Sequence, residues 1–212
     1  MKRFTESMLR LYALTDPAAG PDLVEQVRSA ILGGATMIQL RDKTADDARF
    51  LEEARRLKEV CQAHQVPLII NDRIEIALAC GADGVHVGQS DLPAGDVRAR
   101  IGPDRILGVT AKTVEQARAA EAAGADYLGS GAVFGSTTKP GVPFMTMDRL
   151  REITASVRIP VVAIGGISRQ NIAGLAGTGI RGVAVVSGIF SAPDIYGESV
   201  LLRQLSEQLV SD

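Results

Sequence analysis

Short apolar segments alternate with amphipathic, helix-like segments along the whole chain, and this alternation restricts the fold more than any other feature. The apolar segments are almost continuously hydrophobic, as expected of parallel strands covered on both faces. They lie at 11–15, 36–40, 67–70, 84–87, 105–109, 126–130, 160–164 and 182–187. Helical patterns lie between them, for example at 47–63, 113–123 and 146–155. Such alternation predicts a parallel sheet with right-handed helical crossovers.

Recurring glycines favour a closed barrel over an open, doubly wound sheet. About every two β/α units, a glycine ends a predicted helix and precedes a strand, at Gly34, Gly81, Gly124 and Gly179. A doubly wound sheet normally has a G-x-G-x-x-G turn after its first strand, and the turn at 15–17 lacks that pattern. We therefore predict an α/β fold, a single (β/α)8 TIM barrel that forms one domain over residues 1–212.

Composition excludes several classes of protein. The formal net charge is -2, so the chain lacks the excess of basic residues that nucleic-acid binding needs. Arg10 interrupts the first apolar stretch, unlike a signal peptide, and no apolar run approaches the ~20 residues of a membrane span. Cys61 and Cys80 form no C-x-x-C pair and are predicted to be reduced thiols. We expect a cytoplasmic protein without nucleic-acid or membrane partners; homo-oligomerisation stays open.

Polar residues at the carboxyl ends of the strands are the candidate site, because barrels of this kind place their active sites there. Gln39, Arg41 and Lys43 alternate at the end of the second predicted strand. An extended segment points all three side chains the same way. Two cations and an amide at one place favour an anion site; the alternative is a solvated cluster of loop charges.

Two carboxylates follow neighbouring predicted strands, Asp72 after the third and Asp91 after the fourth. A carboxylate beside a buried strand needs a partner. For Asp72 that partner is either Arg41 or Lys43, or a hard divalent cation. Magnesium is usually held by one or two carboxylates plus substrate phosphates, so this pair is also consistent with a metal bound together with a diphosphate.

His86 and Thr110 lie on the fourth and fifth predicted strands. A lone histidine between valines is more often a hydrogen-bonded core residue than an acid or base. The other histidine, His64, lies on a predicted helix, which argues against a histidine-based zinc site. Thr110 either offers its hydroxyl to the pocket or caps the following helix.

Loops rich in glycine follow the last three predicted strands. The segment at 129–143 is the longest and contains Lys139, which is either carried by a closing lid or an exposed loop lysine. Gly166 and the pair Ser187-Gly188 follow strands seven and eight, where these barrels usually bind phosphate through backbone N–H groups. No nucleophile–base pair emerges, which favours chemistry driven by stabilisation of an anionic leaving group.

In combination, these motifs resemble the thiamine-phosphate synthase family. The resemblance runs in order from about residue 11 to 190 and rests on Leu11-Tyr12-Ala13-Leu14-Thr15-Asp16, Gln39-Leu40-Arg41-Asp42-Lys43, Ile70-Asn71-Asp72, Gly84-Val85-His86-Val87-Gly88-Gln89-Ser90-Asp91, Thr138-Lys139 and Ile164-Gly165-Gly166-Ile167. It implies a (β/α)8 barrel, Mg²⁺ as cofactor and two small-molecule substrates. A pyrimidine diphosphate would lose diphosphate, and the nitrogen of a thiazole phosphate would capture the resulting cation.

The resemblance also implies roles for individual residues, carried over by position. Those around the pyrimidine diphosphate would be Gln39, Arg41, Lys43, Asn71 and Lys139. Those holding magnesium would be Asp72 and Asp91. Those holding the thiazole phosphate would be Thr138, Gly166, Ser187 and Gly188, with Thr110 and Ser136 as further substrate-binding positions. The catalytic set would be Lys139, Arg41, Lys43 and Thr110.

Three positions depart from the usual family pattern. The family often has Ser where Thr110 stands, His in place of Lys112 and Thr in place of Ser136. A related thiazole tautomerase uses a histidine in the loop after the fifth strand, and this chain has none there. A non-catalytic barrel that only binds a phosphometabolite would have lost Asp72, Asp91 or Lys139. We therefore expect a synthase.

Overall fold

Eight parallel strands close into one barrel in chain order, so the expected (β/α)8 fold is confirmed. The computed structural model describes residues 4–17, 20, 22–135 and 144–210. The strands are β1 (Leu11–Leu14), β2 (Met37–Leu40), β3 (Leu68–Asn71), β4 (Gly84–Val87), β5 (Ile106–Thr110), β6 (Tyr127–Gly131), β7 (Val161–Ile164) and β8 (Gly182–Val185). Each pairs in parallel with its neighbours, and β8 pairs with β1.

Helices connect the strands on the outside of the barrel. They are α1 (Leu23–Leu32), α2 (Asp47–Ala63), α3 (Ile74–Ala79), α4 (Ala94–Ile101), α5 (Val114–Ala122), α6 (Met147–Ser156), α7 (Ser187–Phe190) and α8 (Ile195–Val210). After β7 the chain forms only a 3-10 helix, Ile172–Leu175. Glycines at 174, 177 and 179 explain this, since glycine disfavours a regular helix.

The helix boundaries follow from capping residues. The side chains of Asp46, Thr113 and Thr146 each accept a hydrogen bond from a backbone N–H in the first turn of the following helix. Thr113 is therefore the cap of α5, and the alternative that Thr110 caps it is wrong. The glycines expected to end the helical segments adopt positive φ, as at Gly81 (66°) and Gly124 (86°).

Two apolar layers hold the barrel together. The larger packs the helices against the outer faces of the strands. The smaller fills the barrel interior and includes Tyr12, Met37 and Tyr127. Met8 and Leu9, from a 3-10 helix that precedes β1, belong to this inner layer and close the amino-terminal end of the barrel. The interior is consequently accessible from the carboxyl ends of the strands.

The last strand is shorter than the predicted apolar segment at 182–187. The last strand ends at Val185, and Ser187 is the first residue of α7 rather than the end of a strand. Cys61 and Cys80 are free thiols, as predicted.

In the described part of the chain, no helix is both long and apolar enough to cross a bilayer.

Candidate active site

A cavity opens at the carboxyl ends of the strands, with about 1020 Å³ of empty space including its mouth. Its position agrees with the expectation for this fold. Seven of the predicted site residues line it: Gln39, Arg41, Asn71, Thr110, Gly166, Ser187 and Gly188. Three others, Ser136, Thr138 and Lys139, lie outside the residues that the structure describes, so their roles stay predictions.

The end of β2 carries the polar side of the cavity. Gln39 is buried, with 1% of its surface exposed, although it is polar. Thr15 fixes the chain on both sides of it: its N–H donates to the carbonyl of Gln39, and its hydroxyl accepts from the N–H of Arg41 at 2.9 Å. These two hydrogen bonds hold the end of β2 so that Gln39 and Arg41 line the cavity. The expected anion-binding cluster is therefore partly assembled at this point.

Lys43 does not line the cavity but faces the carboxylates at the ends of β3 and β4. Its Nζ lies 3.5 Å from Oδ2 of Asp72, so the expected ion pair of Asp72 is made with Lys43. Burial, and next the negative charge of Asp91, raise the pKa of Asp72, and Lys43 opposes this. The two carboxylates are therefore close enough to repel each other, as expected for a pair that shares a cation.

The donor set suits magnesium better than zinc. Among residues 4–17, 20, 22–135 and 144–210, no group of three or more His, Cys, Asp or Glu side chains could hold a metal. Magnesium does not require one, because it is commonly bound by one or two carboxylates plus substrate phosphates and water. Asp72 and Asp91 match that pattern, although Oδ2 of Asp91 also accepts from the N–H of Gly88 at 2.7 Å.

His86 faces the cavity rather than the outer core. Its Nε2 lies 3.0 Å from Oγ1 of Thr110, and its Nδ1 lies 3.1 Å from the hydroxyl of Tyr127. The expectation of a hydrogen-bonded histidine is confirmed, but its position in the cavity wall was not anticipated. Tyr12 and Lys112 also line the cavity, although their sequence context indicates no role for either. Alternation along β1 and β4 shows only that neighbouring side chains point to opposite faces, so it does not by itself indicate that Tyr12 and His86 point inward.

Backbone forms the opposite side of the cavity. Gly166 has a φ of 66°, and a Cβ there would lie 2.5 Å from the carbonyl oxygen of Phe134. A Cβ on Gly188 would likewise lie 2.5 Å from the carbonyl of Ile167. Both glycines are thus required by close contact between neighbouring loops. Side chains are excluded at these two positions, so backbone forms this part of the wall.

Comparison with known proteins identifies the family of the chain. The chain matches the family model described as thiamine monophosphate synthase over residues 11–189. It is 50% identical over 197 residues to the thiamine-phosphate synthase of Ruminiclostridium cellulolyticum, covering 92% of this chain and 94% of that protein. It is 46% identical over 187 residues to the thiamine-phosphate synthase of Clostridium tetani, covering 87% and 90% of the two chains.

The fold comparison leads to the same family. The solved structure of thiamine phosphate pyrophosphorylase from Pyrococcus furiosus superposes with a TM-score of 0.89 and 38% sequence identity, covering 97% of this chain and 98% of that one. Sequence and fold similarity both extend over nearly the whole chain. This chain therefore belongs to the thiamine-phosphate synthase family and is a transferase.

Proposed function

We propose that the chain couples 4-amino-2-methyl-5-hydroxymethylpyrimidine diphosphate with 4-methyl-5-(2-phosphooxyethyl)thiazole, giving thiamine phosphate and diphosphate. One observation carries the proposal: a single cavity has a polar wall at β2, β3 and β5 and an uncharged wall at β7 and β8, where glycines at 165, 166 and 188 lie among small and apolar residues. The two substrates differ correspondingly. The pyrimidine diphosphate must lose its diphosphate, which charged groups assist, whereas the thiazole phosphate keeps its phosphate and needs only to be bound.

The polar wall suits the pyrimidine diphosphate. Arg41 supplies a cation in the cavity, and Lys43 supplies another beside Asp72. Charged donors of this kind bind phosphate oxygens strongly. Asn71 and Thr110 add neutral hydrogen-bonding groups from β3 and β5. Negative charge grows on the diphosphate as it leaves, so cations placed here stabilise the transition state more than the ground state.

Asp72 and Asp91 are the residues that would hold Mg²⁺. A bound magnesium ion would supply positive charge to the phosphate oxygens. Lys43, paired with Asp72, keeps one of these carboxylates in place next to the cationic end of β2. The family resemblance implies that Lys139, which lies outside the described residues, contacts the same diphosphate.

The backbone wall suits the thiazole phosphate. Gly166, Ser187 and Gly188 line this part of the cavity, and none of them has a bulky side chain. The loops after β7 and β8 are the usual phosphate site of such barrels. Held here, the thiazole ring can approach the reacting carbon while its phosphate remains far from the diphosphate.

The reaction proposed is a dissociative substitution. The carbon–oxygen bond to diphosphate breaks with its electron pair leaving on oxygen, and the thiazole nitrogen then donates its lone pair to the pyrimidine-methyl cation. No protein nucleophile is needed. His86 supports this scheme, because both of its ring nitrogens already have partners in Tyr127 and Thr110.

An assay in which each substrate is omitted in turn tests the proposal. The synthase releases diphosphate only when both substrates are present. A tautomerase would convert a thiazole phosphate alone, and a binding barrel would release nothing. Either of these outcomes would refute the proposed coupling reaction. A cytoplasmic location, a single domain over residues 1–212 and any homo-oligomer are predictions that this assay does not address.

A further inference from the structure

A chain of hydrogen bonds crosses the floor of the cavity and joins two of the proposed substrate-binding residues, Gln39 and Thr110. Nε2 of Gln39 donates to the hydroxyl of Tyr12. The Tyr12 and Tyr127 hydroxyl oxygens lie 2.8 Å apart, and the Tyr127 hydroxyl lies 3.1 Å from Nδ1 of His86. Nε2 of His86 lies 3.0 Å from Oγ1 of Thr110. Five residues from five different strands are thus connected end to end.

Gln39 sets the direction of this chain. Tyr12 is buried and its hydroxyl has two partners, Gln39 and Tyr127. Nε2 of Gln39 can only donate, so the Tyr127 oxygen is the acceptor for the Tyr12 proton, and Nδ1 of His86 is then the acceptor for the Tyr127 proton. A neutral imidazole that accepts at Nδ1 carries its proton on Nε2. In this tautomer His86 donates to Thr110, so the Thr110 hydroxyl, which lies in the cavity wall, can donate its own proton to another acceptor. Burial raises the pKa of both tyrosines, so both keep their protons.

Two glycines make room for the middle of the chain. A Cβ on Gly108 would lie 2.3 Å from the Tyr127 hydroxyl and 2.5 Å from Nδ1 of His86. A Cβ on Gly129 would lie 3.1 Å from Cε1 of His86. Neither glycine has a positive φ, so space rather than backbone conformation explains them. The absence of side chains at these two positions of β5 and β6 leaves the space that Tyr127 and His86 occupy.

We propose that His86 is a positioning residue, held by Tyr12 and Tyr127 as the Nε2–H tautomer, which fixes Thr110 as a hydrogen-bond donor to an acceptor atom of the pyrimidine diphosphate. The identity of that substrate rests on the proposed function, whereas the direction of the chain does not. Tyr127 is fully buried and is not part of the cavity wall, so it acts on substrate only through its neighbours. A donor fixed before substrate binds needs no reorganisation during the reaction.

The tautomer of His86 can be measured directly. The protein contains two histidines, so ¹⁵N-histidine labelling gives two imidazole signals, and His64→Gln assigns them. Long-range ¹H–¹⁵N correlation spectra of the ligand-free protein should show a protonated Nε2 and an unprotonated Nδ1 at His86. A protonated Nδ1, or a rapid mixture of the two tautomers, would overturn the inference whether or not the protein has coupling activity.

Kinetics of Tyr127→Phe test the consequence for substrate. The variant keeps the buried ring and removes the hydroxyl between Tyr12 and His86; Tyr196→Phe, at a tyrosine that is 53% exposed, is the matched control. We expect kcat/KM for the pyrimidine diphosphate to fall about tenfold in Tyr127→Phe, the scale of one lost hydrogen bond. His86 should also no longer be held in a single tautomer. KM for the thiazole phosphate should not change.

A double-mutant cycle separates positioning from a general structural effect. If Tyr127 acts through Thr110, adding Tyr127→Phe to Thr110→Val should reduce kcat/KM little further. Fully additive losses would overturn the inference. If Tyr127→Phe does not fold, the tautomer of His86 in the wild type and in Thr110→Val decides. A wild type that folds with the expected tautomer but makes no thiamine phosphate would refute the proposed function alone.

Discussion

The Nζ atom of Lys43 lies 3.5 Å from Oδ2 of Asp72, and this ion pair joins the cationic end of β2 to the carboxylates that follow β3 and β4. Asp72 is partly buried and close to Asp91, which together raise its pKa despite Lys43. A single lysine thus only partly balances the two carboxylates. The remaining negative charge is what a divalent cation would neutralise.

Asp72→Asn should abolish magnesium-dependent coupling and leave the barrel folded. Asparagine keeps the shape of the side chain and tolerates the positive φ of 61° at this position. It removes the charge that a cation needs and also the repulsion with Asp91, so the melting temperature should not fall. The measurements are the coupling rate as a function of magnesium concentration and the melting temperature.

Asp47→Asn, at an 87% exposed carboxylate on α2, is the control for Asp72→Asn. Full activity of Asp72→Asn, or a wild type indifferent to chelator, would rule out this metal site.

Lys139→Ala should lower kcat by roughly a hundredfold, the scale seen when one preorganised charge-stabilising group is removed. The attraction between this cation and the departing diphosphate increases as the carbon–oxygen bond stretches, because negative charge grows on the diphosphate. KM for the pyrimidine diphosphate should therefore change less than kcat. Steady-state kinetics check this. A raised KM with kcat intact would make Lys139 a uniform binding contact instead.

Gly166→Ala should both destabilise the protein and raise KM for the thiazole phosphate. The added Cβ would meet the backbone carbonyl of Phe134 at 2.5 Å, so the loop after β6 must shift. Gly177→Ala is a matched control, because its φ of 68° is similar but no atom lies within 4 Å of its Cβ. The control should lose about 1 kcal/mol from backbone strain alone and keep its KM. Equal losses of stability and an unchanged KM in both variants would contradict the close contact.

The stabilising effect of Cys61 should decline at alkaline pH. Burial, then the charge of Asp83, raises the pKa of this thiol to about 12, whereas in the unfolded chain it is about 8.5. Its contribution is therefore complete below pH ~8.5 and is lost as the pH rises toward the folded pKa. The difference in unfolding free energy between wild type and Cys61→Ala should shrink by about 1 to 2 kcal/mol from pH 7 to pH 10. Denaturant titrations at both pH values measure it, and a constant difference would contradict the shifted pKa.

The sequence predicted the strands of the barrel to within one or two residues, because each is a short apolar run between polar helices. It also predicted the residues at the strand ends, since chain order alone brings those ends together in a closed barrel. The predicted end of the last strand was less accurate. Val186 is apolar like the strand before it, yet Ser187 already begins α7.

The hydrogen-bond chain below the site could not be predicted in the same way. Strands covered on both faces are apolar at every position, so nothing in the sequence shows that Tyr12 points inward while Ala13 points outward. The Tyr12 and Tyr127 hydroxyls meet although they are 115 residues apart along the chain. The spaces at Gly108 and Gly129 depend on side chains from neighbouring strands. These features follow from the register of the closed sheet.

The most direct test is to incubate the purified protein with both substrates and follow thiamine phosphate by mass spectrometry while magnesium is titrated. We predict that thiamine phosphate and diphosphate form in equal amounts, that neither forms when one substrate is missing, and that excess chelator stops the reaction. Folded protein that makes no thiamine phosphate at saturating magnesium, or that makes it equally well with chelator present, would contradict the proposed reaction.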